Sequence, residues 1–528
     1  LAADLDSGGG TIVLDAGAAG VSQAAGVITA GGLRVVGTGD FSLDGANAAA
    51  VLAANVSGSL TYRDADSFSV GTVGVTTGVT AGGTVTLRTN SGLLSVDAAV
   101  LSAAPGGAIV LDSAGTLAVN AAVSVSAGPG GISLDAAGPA TVAAAGDLST
   151  QGGFVRFGET RAGTVLTSGD ITTNGGEARF YRAAALGGPV LVATANGAVL
   201  FDADLSGAFG LTVAAGNGNV SFLSTIGAGA DPTGITITTT GNTEFTGAVD
   251  MDGDLLVTST DVTISGGVVS LATGGVQVPN SGVLTVIDTA GAADTAGGDI
   301  NLVGFFAQVN GGGSGTVALQ GDIVTNGGFD ISFASPVTLT GNVLLQANGA
   351  GGDITLSAAV DSDATPRALI LNAPGTTTLA AAAGSVSPLA SLATDAGGTT
   401  AINGGAVTTT GTQSYGDAVT LGADTALGGV GITFAATLDS AGAGRALVVN
   451  DSGASVFGGA VGGILALASL ATDAGGTTAI NGGAVTTTGA QSYGEAVTLG
   501  ADAALGGVGI TFAATLDSAG AGRALVVN

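Results

Sequence analysis

Residues 389–450 read LASLATDAGGTTAINGGAVTTTGTQSYGDAVTLGADTALGGVGITFAATLDSAGAGRALVVN, and the string returns at residues 467–528 with three changes: Thr412 to Ala490, Asp417 to Glu495 and Thr425 to Ala503. Leu389 thus recurs as Leu467, an offset of 78 in the numbering. Self-similarity this close is the signature of a stacked array, because one unit cannot bury its apolar face alone and does so against its neighbours. All three changes are expected on the surface of such a scaffold. The unit reads as three turns of roughly 26 residues in preference to four of roughly 19 to 20.

Upstream, two apolar residues flanking one variable residue recur as Ile12/Leu14, Leu33/Val35, Leu60/Tyr62, Val85/Leu87, Ile109/Leu111, Ile132/Leu134, Val155/Phe157, Ala178/Phe180, Val199/Phe201 and Val220/Phe222, at steps that range from 21 to 27. Alternation within each run is the strand period, with one face apolar and the other carrying residues such as Thr86, Arg88, Asp112 and Ser133. A second column runs through Val96, Val119, Val142 and Val165, and a third through Val125, Leu148 and Ile171, each at a step of 23. Glycine turns (PGG, QGG, NGG) separate them, and glycine reaches the positive φ values of tight corners. The predicted class is all-β: a parallel β-helix, or β-solenoid, with roughly three short strands per turn of about 23 residues. Residues 1–245 read as regular coils, 246–388 as less regular coils, and 389–528 as tandem repeats continuing the same solenoid.

Composition narrows the function. Among 528 residues there are 97 glycines, ten arginines and 39 acidic residues, with no Cys, His, Trp or Lys, for a net charge of −29. Nucleic acid is excluded as a partner, since phosphates need a basic surface. Disulfides and Cys- or His-based metal sites are excluded as well. No long uninterrupted apolar run suggests membrane insertion in this segment. The chain starts at Leu1 without the basic and apolar regions of a signal peptide, so a segment of a longer polypeptide is expected.

The strings GGDITLSAAVDS, LASLATDAGGTTAINGGAVTTTGAQSYGEAVTLGAD and GVGITFAATLDS resemble the repeats of large bacterial surface adhesins related to filamentous haemagglutinin. That resemblance implies a right-handed β-helical shaft, secreted to the outer surface of a Gram-negative cell. The expected function is a structural, adhesive shaft or fibre that self-assembles end to end. Its expected partners are other copies of itself and a host or neighbouring-cell surface or glycan. The alternatives are a glycan-binding adhesin and, more remotely, a polysaccharide-degrading β-helix enzyme.

Four constellations are candidate sites. Asp250, Asp252 and Asp254 in VDMDGDLL, with Asp261 following, supply the carboxylates a calcium ion takes, although an Asp–Gly turn between strands accounts for them without metal. No other cofactor is expected. Arg156, Arg161, Arg179 and Arg182 lie near Phe154 and Tyr181; Arg156, Arg179 and Arg182 are the candidate ligands for an acidic glycan, with neutralisation by Glu159, Glu177, Asp147 and Asp170 as the plainer reading. Asp202 and Asp204 could pair as the acid and base of a glycosidase, but no Lys or Arg cluster completes a lyase site, and the chain is not read as an enzyme. Thr84–Thr86 and Thr236–Thr240 suggest ice-binding ranks, yet Val110, Ser133 and Arg156 interrupt the alignment.

Overall fold

Alternation along short strands builds the fold. A computed structural model describes residues 1–253, 255–260, 262–264, 269–271, 276–280, 283–286, 300–302, 304–310 and 316–528. Parallel strands stack into β-solenoid turns, about 22 in the chain at roughly 22 residues each, with no helix among the described residues. The chain divides into two compact units, Leu1–Thr260 and Asp261–Asn528.

In the first unit alternate strand residues turn inward: Val85–Thr89 buries Val85, Leu87 and Thr89 and leaves Thr86 and Arg88 outside. Leu60, Val85, Ile109, Ile132, Val155, Ala178, Val199 and Val220 stack in register, as their spacing predicts. Two residues on, Phe157, Phe180, Phe201, Phe222 and Phe245 form a buried pile with centroids 4.5 to 5.2 Å apart and planes within 6° of parallel. Offset aromatic contacts of this kind add to the area each ring removes from water.

Register departs from the expected columns in three places. Leu33 and Val35 stack on Leu52 and Ala54, while Leu60 stacks on Phe41. The long strand Phe41–Val56 supplies both contacts, passing from one column to the next through Asp44-Gly45, where the pairing with Leu60–Asp64 shifts between Leu43 and Asn47. Val142 stacks on Thr167 instead of Val165, and Leu148 on Val123 instead of Val125. Both slips move the pairing by one full strand period, which keeps the inward face inward and only redistributes length between corners.

One corner shows why glycine recurs. Thr150, Thr173 and Thr194 are buried and donate their hydroxyls to the carbonyls of Gly153, Gly176 and Gly197. A Cβ on Gly153 would lie 1.9 Å from the carbonyl oxygen of Gly130, and one on Gly176 1.9 Å from that of Gly153. Backbone from the adjoining turn fills the space, so close approach as well as positive φ (89° at Gly152) selects glycine here. A single antiparallel pair among the described residues, Thr72–Val73 with Thr76–Thr77, is tied down by a 2.7 Å hydrogen bond from Arg34 Nε to Thr76 Oγ1.

The second unit holds the tandem repeat in three columns. One runs through Leu392, Gln413, Ile432, Ser455, Thr478, Val497 and Leu516. The next runs through Thr377, Thr400, Val419, Leu438, Val461, Val485 and Leu505. The last runs through Ala383, Val407, Leu427, Val449, Thr472, Tyr493 and Phe512. Leu470, the copy of Leu392, stacks on Leu447 in the last column, eleven strand positions beyond Leu392. At three strands per turn the unit winds three and two-thirds turns, and not the three longer turns its length suggests. Every second-copy residue therefore occupies the column next to that of its twin.

Candidate functional site

Strands Val155–Phe157 and Ala178–Phe180 pair so that Arg156 sits directly beside Arg179 on the outer surface. The Arg156 guanidinium lies 4.2 Å from the Phe154 ring centroid and that of Arg179 4.5 Å from the Tyr181 centroid, both within cation–π range. Arg156 donates to Glu177 at 3.0 Å and to Glu159 at 3.3 Å, and Arg179 to Asp202 at 2.8 Å. Arg161 pairs with Asp112, while Arg182 Nε donates to the carbonyls of Arg161 and Gly158 at 3.0 and 3.2 Å. The hydrogen bond to Asp202 foremost holds Arg179 above the usual guanidinium range; burial works against the charge of Arg156, but Glu177 and its neighbours raise it. The predicted cluster is thus brought together, and Glu159 and Glu177 face it as expected.

Asp147 and Asp170 do something else. Asp147 accepts the Asp170 backbone N–H at 3.0 Å, and Asp170 accepts that of Leu191 at 2.8 Å. The same clamp from one turn to the next recurs at Asp330 to Asp353 (2.9 Å) and Asp322 to Leu344 (2.7 Å). Many carboxylates of this acidic chain are therefore structural acceptors for backbone N–H groups of the following turn, at corners (Asp170, Asp353) and near strand starts (Leu191, Leu344). The sequence signal was the Gly-Asp pair returning at residues 146–147 and 169–170.

Asp202 serves Arg179, whereas Asp204 accepts from Ser224 Oγ at 2.6 Å and from the Thr225 N–H at 3.2 Å. Asp250 and Asp252 are exposed; Asp254 and Asp261 lie outside the described residues. Asp231, which sequence spacing did not connect to them, lies close enough that burial and then the charges of Asp250 and Asp252 raise its carboxyl above the usual range. Among the described residues no group of three or more acidic side chains has the geometry to hold a metal ion.

The tandem unit carries the features that sequence reasoning missed. Asp417 and its copy Glu495 are both 2 % exposed, and Thr425 and Ala503 are buried too, so two of the three differences between the copies are interior, contrary to expectation. Asp417 accepts from Gly398 N at 2.8 Å and Thr400 Oγ1 at 3.1 Å; Glu495 takes the Thr478 hydroxyl on Oε1, and its Oε2 is buried without a partner. Outside, the loop tips Val386 and Ile464 stand one repeat unit apart and are each 84 % exposed. Asp361 holds the first through the N–H groups of Val386 and Ser387 at 2.8 and 3.1 Å, and Asp439 holds the second identically through Ile464 and Leu465.

Comparison with protein-family models, with curated proteins and with solved structures finds no match to this chain.

Proposed function

We propose that the chain is a structural scaffold: an extracellular, adhesive shaft or fibre whose repeats present contact loops, with copies joining end to end. The observation that carries this reading is the winding of the tandem unit, which repeats one surface on successive sides of the coil. A stack whose interior is filled by its own side chains offers a stiff support, and its stability adds up turn by turn. The adhesin-like repeat strings of residues 389–528 support the same reading and a place on a bacterial outer surface. Acidic-glycan binding at Arg156, Arg179 and Arg182 has less support, because carboxylates or carbonyls already engage each of them. Negative-stain electron microscopy with sedimentation velocity tests the proposal. Slender particles of constant width, joining into longer ones as concentration rises, are expected with calcium and with chelator alike; compact particles with the frictional ratio of a sphere would remove the shaft.

A further inference from the structure

Three strings align at the repeat offset: DSDATPR at residues 361–367, DSAGAGR at 439–445 and DSAGAGR at 517–523. In the first, Arg367 forms a two-pronged pair with Asp363, at 3.0 Å from Nε and 2.9 Å from Nη2. The second keeps the arginine and has Ala441 where the first has the aspartate. The Arg445 guanidinium then makes no hydrogen bond or ion pair among the described residues, and its Nε is buried without a partner. Six of the ten arginines are paired to carboxylates, and Arg34 and Arg182 donate to other oxygens, which leaves Arg445 and its copy Arg523 as the two unpaired forks among the described residues, with Nε buried in Arg445.

Its surroundings are equally specific. Arg445 N–H donates to Ser440 Oγ at 2.9 Å, and its carbonyl accepts from Ala468 N at 2.8 Å, which lays the loop bearing Ile464 and Leu465 against it. Ile464 is the 84 % exposed tip and Leu465 is also exposed. At the same corner, two turns further along, Val508 stands exposed between Gly507 and Gly509, its N–H bonded to the Gly489 carbonyl. One corner thus offers a guanidinium fork beside a ridge of aliphatic tips.

We propose that Arg445 and the Ile464–Leu465 tip form a contact site for an exposed carboxylate of a second copy of this chain. The Asp363–Arg367 pair shows that a carboxylate is the partner this arginine takes in the sister loop; with Nε of Arg445 buried, an incoming carboxylate meets its terminal nitrogens, and the chain itself supplies the partner chemistry, with 39 acidic residues against ten arginines. Repulsion between two chains of −29 is long-ranged and is screened within about 8 Å at physiological salt, so the contact forms there and weakens as salt is withdrawn. The proposal deepens the scaffold reading by naming a sideways contact, and rests on it only for its biological use.

The test is sedimentation velocity of the whole chain at physiological salt, with circular dichroism to show that each variant folds. Because DSAGAGR occurs twice, the variant is Ala441→Asp with Ala519→Asp, which keeps both arginines and sets a carboxylate at the sequence position that Asp363 holds in the first string. Concentration-dependent association of the native chain, weakened about tenfold in this variant and in Arg445→Ala with Arg523→Ala, is the expected result. Association unchanged in Arg445→Ala with Arg523→Ala would overturn the proposal, as would a native chain that stays monomeric to about 100 μM. Association unchanged in the variants leaves the shaft and its end-to-end joining standing; a native chain that stays monomeric removes the joining of copies as well and leaves the shaft alone, which particle shape in the microscope reads independently.

Discussion

Tyr415 and Tyr493 are the same residue of the same repeat, yet they stack in different columns: Tyr415 lies between Thr394 and Phe434, and Tyr493 between Thr472 and Phe512. Their rings meet Phe434 and Phe512 at 5.1 and 5.0 Å, and their hydroxyls donate to Gln413 and Gln491 at 2.9 and 3.0 Å. Local packing is preserved while position around the coil changes. The repeat is therefore a unit of eleven strands, and what it needs from each neighbour is a matching inward residue rather than a fixed side.

That register can be locked covalently. Ser414 and Thr433 are direct partners on adjoining strands, with both side chains turned outward. The chain has no cysteine, so Ser414→Cys with Thr433→Cys introduces one possible bridge. Adjacent-strand Cα spacing suits a disulfide, and closing the one-turn loop between them stabilises by about 3 kcal/mol in the chain-entropy view. Rapid intramolecular oxidation, read as loss of free thiol with a raised denaturant midpoint, is expected. Three longer turns per unit would instead separate these positions and leave two free thiols.

The phenylalanine pile should carry much of the first unit. Phe201 lies at its centre, 4.5 Å from Phe180 and 4.9 Å from Phe222, and is buried. Phe201→Ala removes both contacts and leaves a cavity, at a cost of about 3 to 5 kcal/mol. In a stacked array that loss stays with nearest neighbours. Hydrogen exchange should accelerate across residues 178–245 and hold steady in residues 389–528; uniform acceleration along the chain would contradict nearest-neighbour stacking.

The parts of this fold legible in the sequence are those set by parity. Val85/Leu87 through Val220/Phe222 could be counted because inward residues alternate and glycine marks the corners. Register was harder where a corner changed length, as between Val142 and Thr167, since a slip of one strand period leaves the apolar pattern intact. The arginine face was visible because Arg156 and Arg179 share an outward position at a constant step. Asp417 looked like a surface residue because nothing in its neighbourhood announces the two donors, Gly398 and Thr400, that arrive from the preceding turn. The missing partner of Arg445 became apparent only when the bond from Arg367 to Asp363 was seen.

Glu495 gives the pH dependence a sign. Burial raises its carboxyl above the usual range; the Thr478 hydroxyl opposes this, and the carboxylates of Asp473 and Asp451 add to it. A raised folded-state value means that the native chain holds the proton more tightly than the unfolded chain, whose glutamates titrate near about pH 4.3. Its contribution to stability is therefore complete below about pH 4.3 and is lost as pH rises through the folded value. Glu495→Gln removes that titration and neutralises the unpartnered Oε2 position, so the variant should match the native chain in acid and exceed it at pH 7 by about 1 kcal/mol. Asp417→Asn gives the counterpart in the first copy, where burial likewise raises the carboxyl; it gains less, because Asp417 already satisfies both oxygens. Urea unfolding of the three proteins at pH 4 and pH 7 checks this. A difference between Glu495→Gln and the native chain that stays the same at both pH values would show that Glu495 does not hold its proton in the fold.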